Sequence, residues 1–131
     1  MSQIALVTGA AQGLGYAIVK VLAEAGFKVV ATDVNETAVN QAVLELDPSG
    51  ENIIALKLNV LQKSDFSQAL AAVIKRFGRC DVLVNNAAMT PTTPVLEISG
   101  DEFDQVMAIN LRGTLFGCQV FGEHFANQHY G

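Results

Sequence analysis

Cysteine is scarce: only Cys80 and Cys118 occur among 131 residues. They lie far apart with no metal-type spacing, so they form neither a disulfide framework nor a zinc site, which suits a reducing cytoplasm. Charge is thin as well, at 16% of residues, with 8 basic and 13 acidic side chains and a formal net charge of −5. The chain has no run of Lys or Arg, which argues against nucleic acid or an anionic membrane surface as a partner. A targeting segment is missing too. Met1 to Val19 is free of charge, but no basic stretch precedes it and Gly9, Gly13 and Gly15 interrupt it. It is too short and broken to cross a bilayer as a helix, and the reading is a soluble protein. What the chain has in quantity is apolar surface: half of its residues are hydrophobic. That is enough for a continuous core, which excludes intrinsic disorder, and the length allows one small domain over residues 1–131.

Strand-like and helix-like segments alternate. Ile4 to Thr8 reads as a strand buried on both faces. After the glycines, Leu14, Ala17, Ile18, Val21, Leu22 and Ala25 recur at helical spacing, and Gly26 stops the helix. Lys28 to Asp33 is a second strand. Asn35 is placed to cap a helix with Val39, Ala42, Val43 and Leu46 on its apolar face, ended by Asp47-Pro-Ser-Gly50. Ile53 to Leu58 is a third strand, and Ser64 the expected cap of a helix with Phe66, Ala69, Leu70, Val73 and Phe77 inward, closed by Gly78. Asp81 to Val84 is the fourth strand. Ser99 and Glu102 have capping-box spacing and open one long helix, residues 99–128. Four βα units with short connections predict a doubly wound α/β fold with a parallel sheet in order 3-2-1-4. Ligand is then expected beyond the carboxyl ends of the strands.

The strongest motif is Thr8-Gly9-Ala-Ala-Gln-Gly13-Leu-Gly15, between a strand and a helix. Glycines let a pyrophosphate approach the backbone, and the helix start offers free N–H groups and a positive dipole end. A Gly-rich turn by itself asks only for positive φ. Here Asp33 also ends the next strand, 18 residues after Gly15. Such a carboxylate accepts hydrogen bonds from both ribose hydroxyls of NAD and repels the 2′-phosphate of NADP. Gln12 in the turn and Val34 after the aspartate supply no compensating cation. NAD is the expected cofactor, ahead of NADP.

These residues resemble the short-chain dehydrogenases/reductases, and the resemblance runs the length of the chain. Thr8 to Gly15 is similar to that family's cofactor motif, which implies cofactor contacts for Gly9, Gln12, Gly13, Leu14 and Gly15. Asn59-Val60 sits where the family contacts adenine. Asn85-Asn86-Ala87-Ala88 resembles its Asn-Asn-Ala-Gly motif, with Ala88 in place of glycine narrowing the room beside the nicotinamide. Asn110, in Asn110-Leu-Arg-Gly113, matches the family's helix asparagine, which implies a catalytic role in holding a water of the proton relay. The implied reaction is hydride transfer between nicotinamide and a small alcohol or ketone.

Periodicity speaks for Asn110 separately. Phe103, Val106, Met107, Asn110, Thr114, Gly117, Cys118 and Phe121 fall on one helix face, which predicts a buried asparagine in an inward stripe. A structural tie between helix and sheet is the plainer account of such a residue. Ile109, Phe116 and Val120, with Leu111 and Leu115 to the side, then point away from the sheet. Relatives of the family commonly pair subunits through this helix, so a homo-oligomer is expected there.

The resemblance also implies a Ser after a fifth strand and a Tyr-x-x-x-Lys pair, which the 131 residues do not supply in place. Tyr130 has no partner four residues on. Tyr16-Ala-Ile-Val-Lys20 matches literally, but the apolar stripe through Leu14, Ile18 and Ala25 sends Tyr16 and Lys20 to the outer face. His124 and His129 suit the end of a helix and have poor metal spacing. Met89 to Pro94 follows the fourth strand and is placed to border a substrate. The expectation is the cofactor-binding portion of an oxidoreductase; the rival is a catalytically inert nucleotide-binding or interaction module.

Overall fold

The computed structural model describes all residues from Met1 to Gly131. The elements are β1 (Ile4–Val7), α1 (Gly13–Glu24), β2 (Lys28–Asp33), α2 (Glu36–Leu46), β3 (Ile53–Lys57), α3 (Lys63–Phe77) and β4 (Val82–Val84). After a loop come α4 (Gly100–Met107), a π-helical turn (Ala108–Arg112) and α5 (Gly113–Gln128). The four strands form one parallel sheet in the order β3-β2-β1-β4, the Rossmann-type arrangement expected. Strand ends differ from the expected ones by a single residue, as frayed ends do.

Alternation along the strands feeds two cores. Leu6 and Val30 face one side with Phe66, Val73 and Phe121, so α3 and α5 cover that face. Val7, Val29, Ala31 and Ile53 face the other with Val19 and Val39, so α1 and α2 cover it. Every residue of β1 is buried, the pattern of a central parallel strand. The β1–β4 junction is fastened at its base. Buried Asp81 accepts the amide of Ile4 at 2.8 Å and pairs with Arg79. Burial alone would raise that carboxyl, but the Arg79 guanidinium and the Ile4 amide more than offset it and hold it below the usual carboxylate range.

Several expectations about helices need correction. Gln62, not Ser64, precedes α3, and its side chain makes no cap; Ser64 is an exposed first-turn residue. Asn35 and Ser99 do cap, accepting the amides of Ala38 and Glu102. The reciprocal half of the box at Ser99 is absent, because the Glu102 carboxylate is taken by the Thr93 hydroxyl at 2.7 Å.

Part of each expected inward stripe holds, with Ile18 and Leu22 on the core side of α1 and Gly117 and Phe121 buried on the last helix, but the faces are rotated from the rest. On α1 the buried residues are Gly15 and Val19, whereas Leu14 and Val21 are exposed. On the last helix Phe103 is 55% and Met107 40% exposed, and Cys118 is exposed as well. Ile109, Phe116 and Val120, expected outside, pack on the core. The last helix is apolar nearly all round, so hydrophobicity leaves its phase undecided and the tightest contact decides it; α1 carries a polar line at Tyr16, Lys20 and Glu24, and the close approach of Gly15 to the Gly9 carbonyl sets its final turn. A Cβ on Gly113 would meet the Val60 side chain at 3.0 Å, and one on Gly117 the Asn85 Oδ1 at 2.5 Å. The two glycines, four residues apart, mark the face that must lie closest to the sheet. The continuous helix expected over 99–128 is in fact interrupted by the π-turn that contains Asn110.

Candidate functional site

A cleft of about 510 Å³ opens at the carboxyl ends of β1, β2 and β4. It gathers residues from four separate stretches of chain: Gly9, Gln12 and Gly13 from the glycine turn, Asp33 at the end of β2, Asn59 and Val60 after β3, and Asn86, Ala87 and Ala88 after β4. Nine of the site residues named from sequence therefore meet. Leu14 does not line the cleft; it stands 70% exposed on the first turn of α1. Gly15 lies beneath it, buried. Asn110 is outside the lining as well. Val34, Leu58, Leu61 and Ile109 complete the walls; none was named as a site residue from sequence, and Ile109 was expected to point away from the sheet. Val34, Leu58 and Leu61 adjoin named residues, so an apolar flank beside each motif was the signal available.

The turn is built to bring backbone close. Gly9 and Gly13 have φ of +64° and +59°, in the left-handed region that favours glycine. A Cβ on Gly9 would fall 2.8 Å from the Ala87 Cα, so this glycine also lets two loops touch. A Cβ on Gly13 would meet nothing within 4 Å, which leaves the approach open. Behind the turn, a Cβ on Gly15 would sit 2.1 Å from the Gly9 carbonyl oxygen. No side chain caps α1 and no acidic residue occupies its first turn. Its leading amides and positive dipole end are left for an anion from outside the chain.

Two polar ties hold the turn. The amides of Asn86 and Ala87 both donate to the Thr8 hydroxyl at 3.0 Å, and Asn86 Nδ2 donates to the carbonyls of Thr8 and Gly9 at 3.1 Å. The Asn86 amide thus positions the turn from beneath. The Asp33 carboxylate accepts the amide of Ala11 at 3.1 Å through Oδ2 and that of Asn35 at 3.0 Å through Oδ1. Each oxygen keeps acceptor capacity, so this half-buried carboxylate can still receive two hydroxyl donors. No Lys, Arg or His lines the cleft.

Asn110 departs from the buried side chain expected; it is exposed and fully engaged. Its Oδ1 accepts the Met89 amide at 2.7 Å and its Nδ2 donates to the Met89 carbonyl at 2.8 Å. The Thr114 hydroxyl donates to the Asn110 carbonyl at 3.2 Å. The literal Tyr-x-x-x-Lys match lies elsewhere. Tyr16 is half-buried on the flank of α1 towards α2, not on the outer face, with its hydroxyl donating to Glu45 at 3.3 Å. Burial and the Glu45 carboxylate push its phenol upwards, the opposite of what an acid–base tyrosine needs.

A parallel 3-2-1-4 sheet with a glycine-turn cleft at its carboxyl ends defines a Rossmann-type α/β protein. The chain belongs to the short chain dehydrogenase family, whose model it matches over residues 3–131. It is 38% identical over 128 residues to a diacetyl reductase [(S)-acetoin forming] of Staphylococcus epidermidis, covering 98% of this chain and 50% of that protein. A sorbitol dehydrogenase of Cereibacter sphaeroides is 35% identical, over 88% of this chain and 44% of its own length. Among solved structures, a short chain dehydrogenase from Bacillus anthracis superposes with a TM-score of 0.93 at 26% identity, covering 98% of this chain and 53% of that one. A family member from Burkholderia phymatum in complex with NAD gives 0.90 at 28% identity, over 97% and 45%. The chain thus spans about half the length of the relatives it matches. No helix is long and apolar enough to cross a membrane.

Proposed function

We propose that this chain holds a nicotinamide dinucleotide, NAD in preference to NADP, as the cofactor-binding part of an oxidoreductase acting on a small alcohol or ketone. The carrying observation is Asp33: a carboxylate at the cleft wall, in a cleft lined by no cation. The bound cofactor would accept or deliver a hydride at its nicotinamide ring. The chain's own residues do the rest. The Gly9–Gly13 turn and the first amides of α1 receive the pyrophosphate, for which the open space at Gly13 leaves room. Asp33 takes the ribose hydroxyls and disfavours a 2′-phosphate. Leu58, Asn59, Val60 and Leu61 flank the base, and Ala87 and Ala88 line the floor towards the nicotinamide. Asn110 acts as a positioning residue, anchoring Met89 and hence the loop that leaves the cleft.

Tyr16 is bonded to Glu45 of α2 and Lys20 is exposed, which leaves the proton chemistry without a group in these 131 residues. Purified alone, the chain is expected to bind cofactor without turning over secondary alcohols, polyols or ketones; its location in the cell on this reading is the cytoplasm. The exposed strip Phe103, Met107, Leu111 and Leu115 replaces Phe116 and Val120 as the surface through which a second copy pairs.

Calorimetric titration tests the cofactor reading. NAD should bind at least tenfold more tightly than NADP, and Asp33→Ala should narrow that gap by restoring NADP. Equal affinities in the unmodified protein would remove Asp33 from its role, and binding of neither would remove the dinucleotide itself.

A further inference from the structure

We propose that a second groove, between α3 and α5 and separate from the cofactor cleft, binds a neutral polyhydroxylated compound of the sugar type. The groove has a volume of about 550 Å³, within the roughly 300–1,000 Å³ range of small-molecule sites. It shares no lining residue with the cofactor cleft. Its floor is apolar, formed by half-buried Leu70 and buried Val120. Its walls are polar. Lys63 and Ser67 stand on α3, and Gln119, Glu123, His124 and Asn127 on α5. Spacings of three and four residues put each set on one face of its helix.

None of these six polar side chains makes a hydrogen bond or an ion pair within the chain. Exposed polar groups elsewhere do find each other, as Gln41 finds Glu45 and Thr93 finds Glu102. Lys63 and Glu123 carry opposite charges in one groove, yet the chain's ion pair is Arg79 with Asp81. The two walls stand too far apart to satisfy one another. Five of the six side chains are exposed, and His124 is the exception. Its Nε2 is buried without a partner, whereas buried polar groups in folded proteins are almost always bonded. That nitrogen is covered, so the ring must turn about its side-chain bonds to meet a hydroxyl in the groove. The turn breaks no hydrogen bond.

The walls select the guest by elimination. Lys63 would draw an anion but Glu123 repels it, and the reverse holds for a cation. No aromatic side chain other than the His124 imidazole lines the groove to stack a base. The Gln119 and Asn127 amides and the Ser67 hydroxyl each donate and accept. A sugar hydroxyl does both as well, so it matches these walls in either sense. The C–H face of a sugar ring then lies on Leu70 and Val120.

Titration of the 131-residue chain with D-glucose, followed by nuclear magnetic resonance, tests this, with inorganic phosphate and glycine as charged probes. Resonances of Ser67, Gln119 and Asn127 and of the His124 imidazole should shift and saturate, with a Kd on the order of 1–10 mM for so open a groove. Gln119→Ala with Asn127→Ala removes two exposed amides without touching the core, and should weaken glucose roughly tenfold. Ser67→Ala is the milder change and should weaken it about threefold. No saturable shift in this groove up to about 0.1 M glucose overturns the proposal, as does undiminished affinity in both variants. Shifts confined to the cofactor cleft, or saturation by phosphate or glycine in place of glucose, overturn it too. Each of these failures leaves the cofactor reading standing.

Discussion

The amide of Asn110 grips Met89 at both ends, accepting from its N–H at 2.7 Å and donating to its carbonyl at 2.8 Å. One side chain in the π-turn thus completes the hydrogen bonds of a loop residue that has no strand partner. The π-turn inserts an extra residue between α4 and α5, and such turns recur at functional sites. The loop after β4 is thereby fixed to the helix that packs on the same sheet. Between these two anchors run Ala88 and the cleft floor.

Asn110→Ala should cost about 1–2 kcal/mol, two exposed backbone bonds at roughly 0.5–1.5 kcal/mol each, partly recovered by water. Asn110→Asp restores the acceptor for the Met89 amide and sets a carboxylate against its carbonyl, so it should recover less than half. Hydrogen exchange at Met89 gives the local readout, and unchanged protection in the alanine variant would refute the clamp.

Gly13 and Gly15 should fail differently. Gly15→Ala drives a methyl into the Gly9 carbonyl at 2.1 Å, backbone against backbone, and should destabilise by about 1–3 kcal/mol or more. Gly13→Ala meets no atom within 4 Å and bears only the strain of a positive φ, about 1 kcal/mol. Its methyl instead enters the approach to the turn. Thermal unfolding should separate the two, with Gly13→Ala folded yet impaired in NAD binding.

Asp47 makes stability depend on pH at the acid end. The Ser49 hydroxyl first, then the amides of Asn52 and Ile53, lower its carboxyl from 3.8 to about 2. A group depressed in the folded state stabilises fully above its unfolded value, and that contribution is lost as pH falls through the folded one. The difference in melting temperature between the unmodified chain and Asp47→Ala should be widest near about pH 6 and shrink towards about pH 2. A difference that stays constant across that range would show that the carboxylate does not organise the turn before β3.

Association should run through the exposed strip. Leu111→Glu with Leu115→Glu, at residues 61% and 51% exposed, should leave the fold intact and abolish self-association in sedimentation. Phe116→Glu should unfold the chain instead, because Phe116 packs on the core beside Phe121 and Phe66. An unfolded leucine double variant would return the strip to the core.

The sequence by itself determined the fold class, the strand order and most of the cleft. Buried parallel strands leave unbroken apolar runs such as Ile4 to Val7, and glycines at a strand-to-helix turn announce positive φ. Right-handed crossovers then leave few arrangements for four βα units. Asp33 and Asn59 were legible because each ends or follows a strand, and parallel topology brings such ends together.

Only the tertiary structure decided which way the last helix turns, since hydrophobicity on every side of α5 gives no direction, and it shifted the inward line of α1 onto Gly15 and Val19. Gly15 against the Gly9 carbonyl and the Asn86 side chain, and Gly117 against Asn85, set that phase, and the two asparagines lie far along the chain. The same holds for how polar groups are used. Asn86 supports the glycine turn, Glu102 is drawn to Thr93 and Asn110 is held by Met89, because each hydrogen bond goes to the partner that folding brings within about 3 Å.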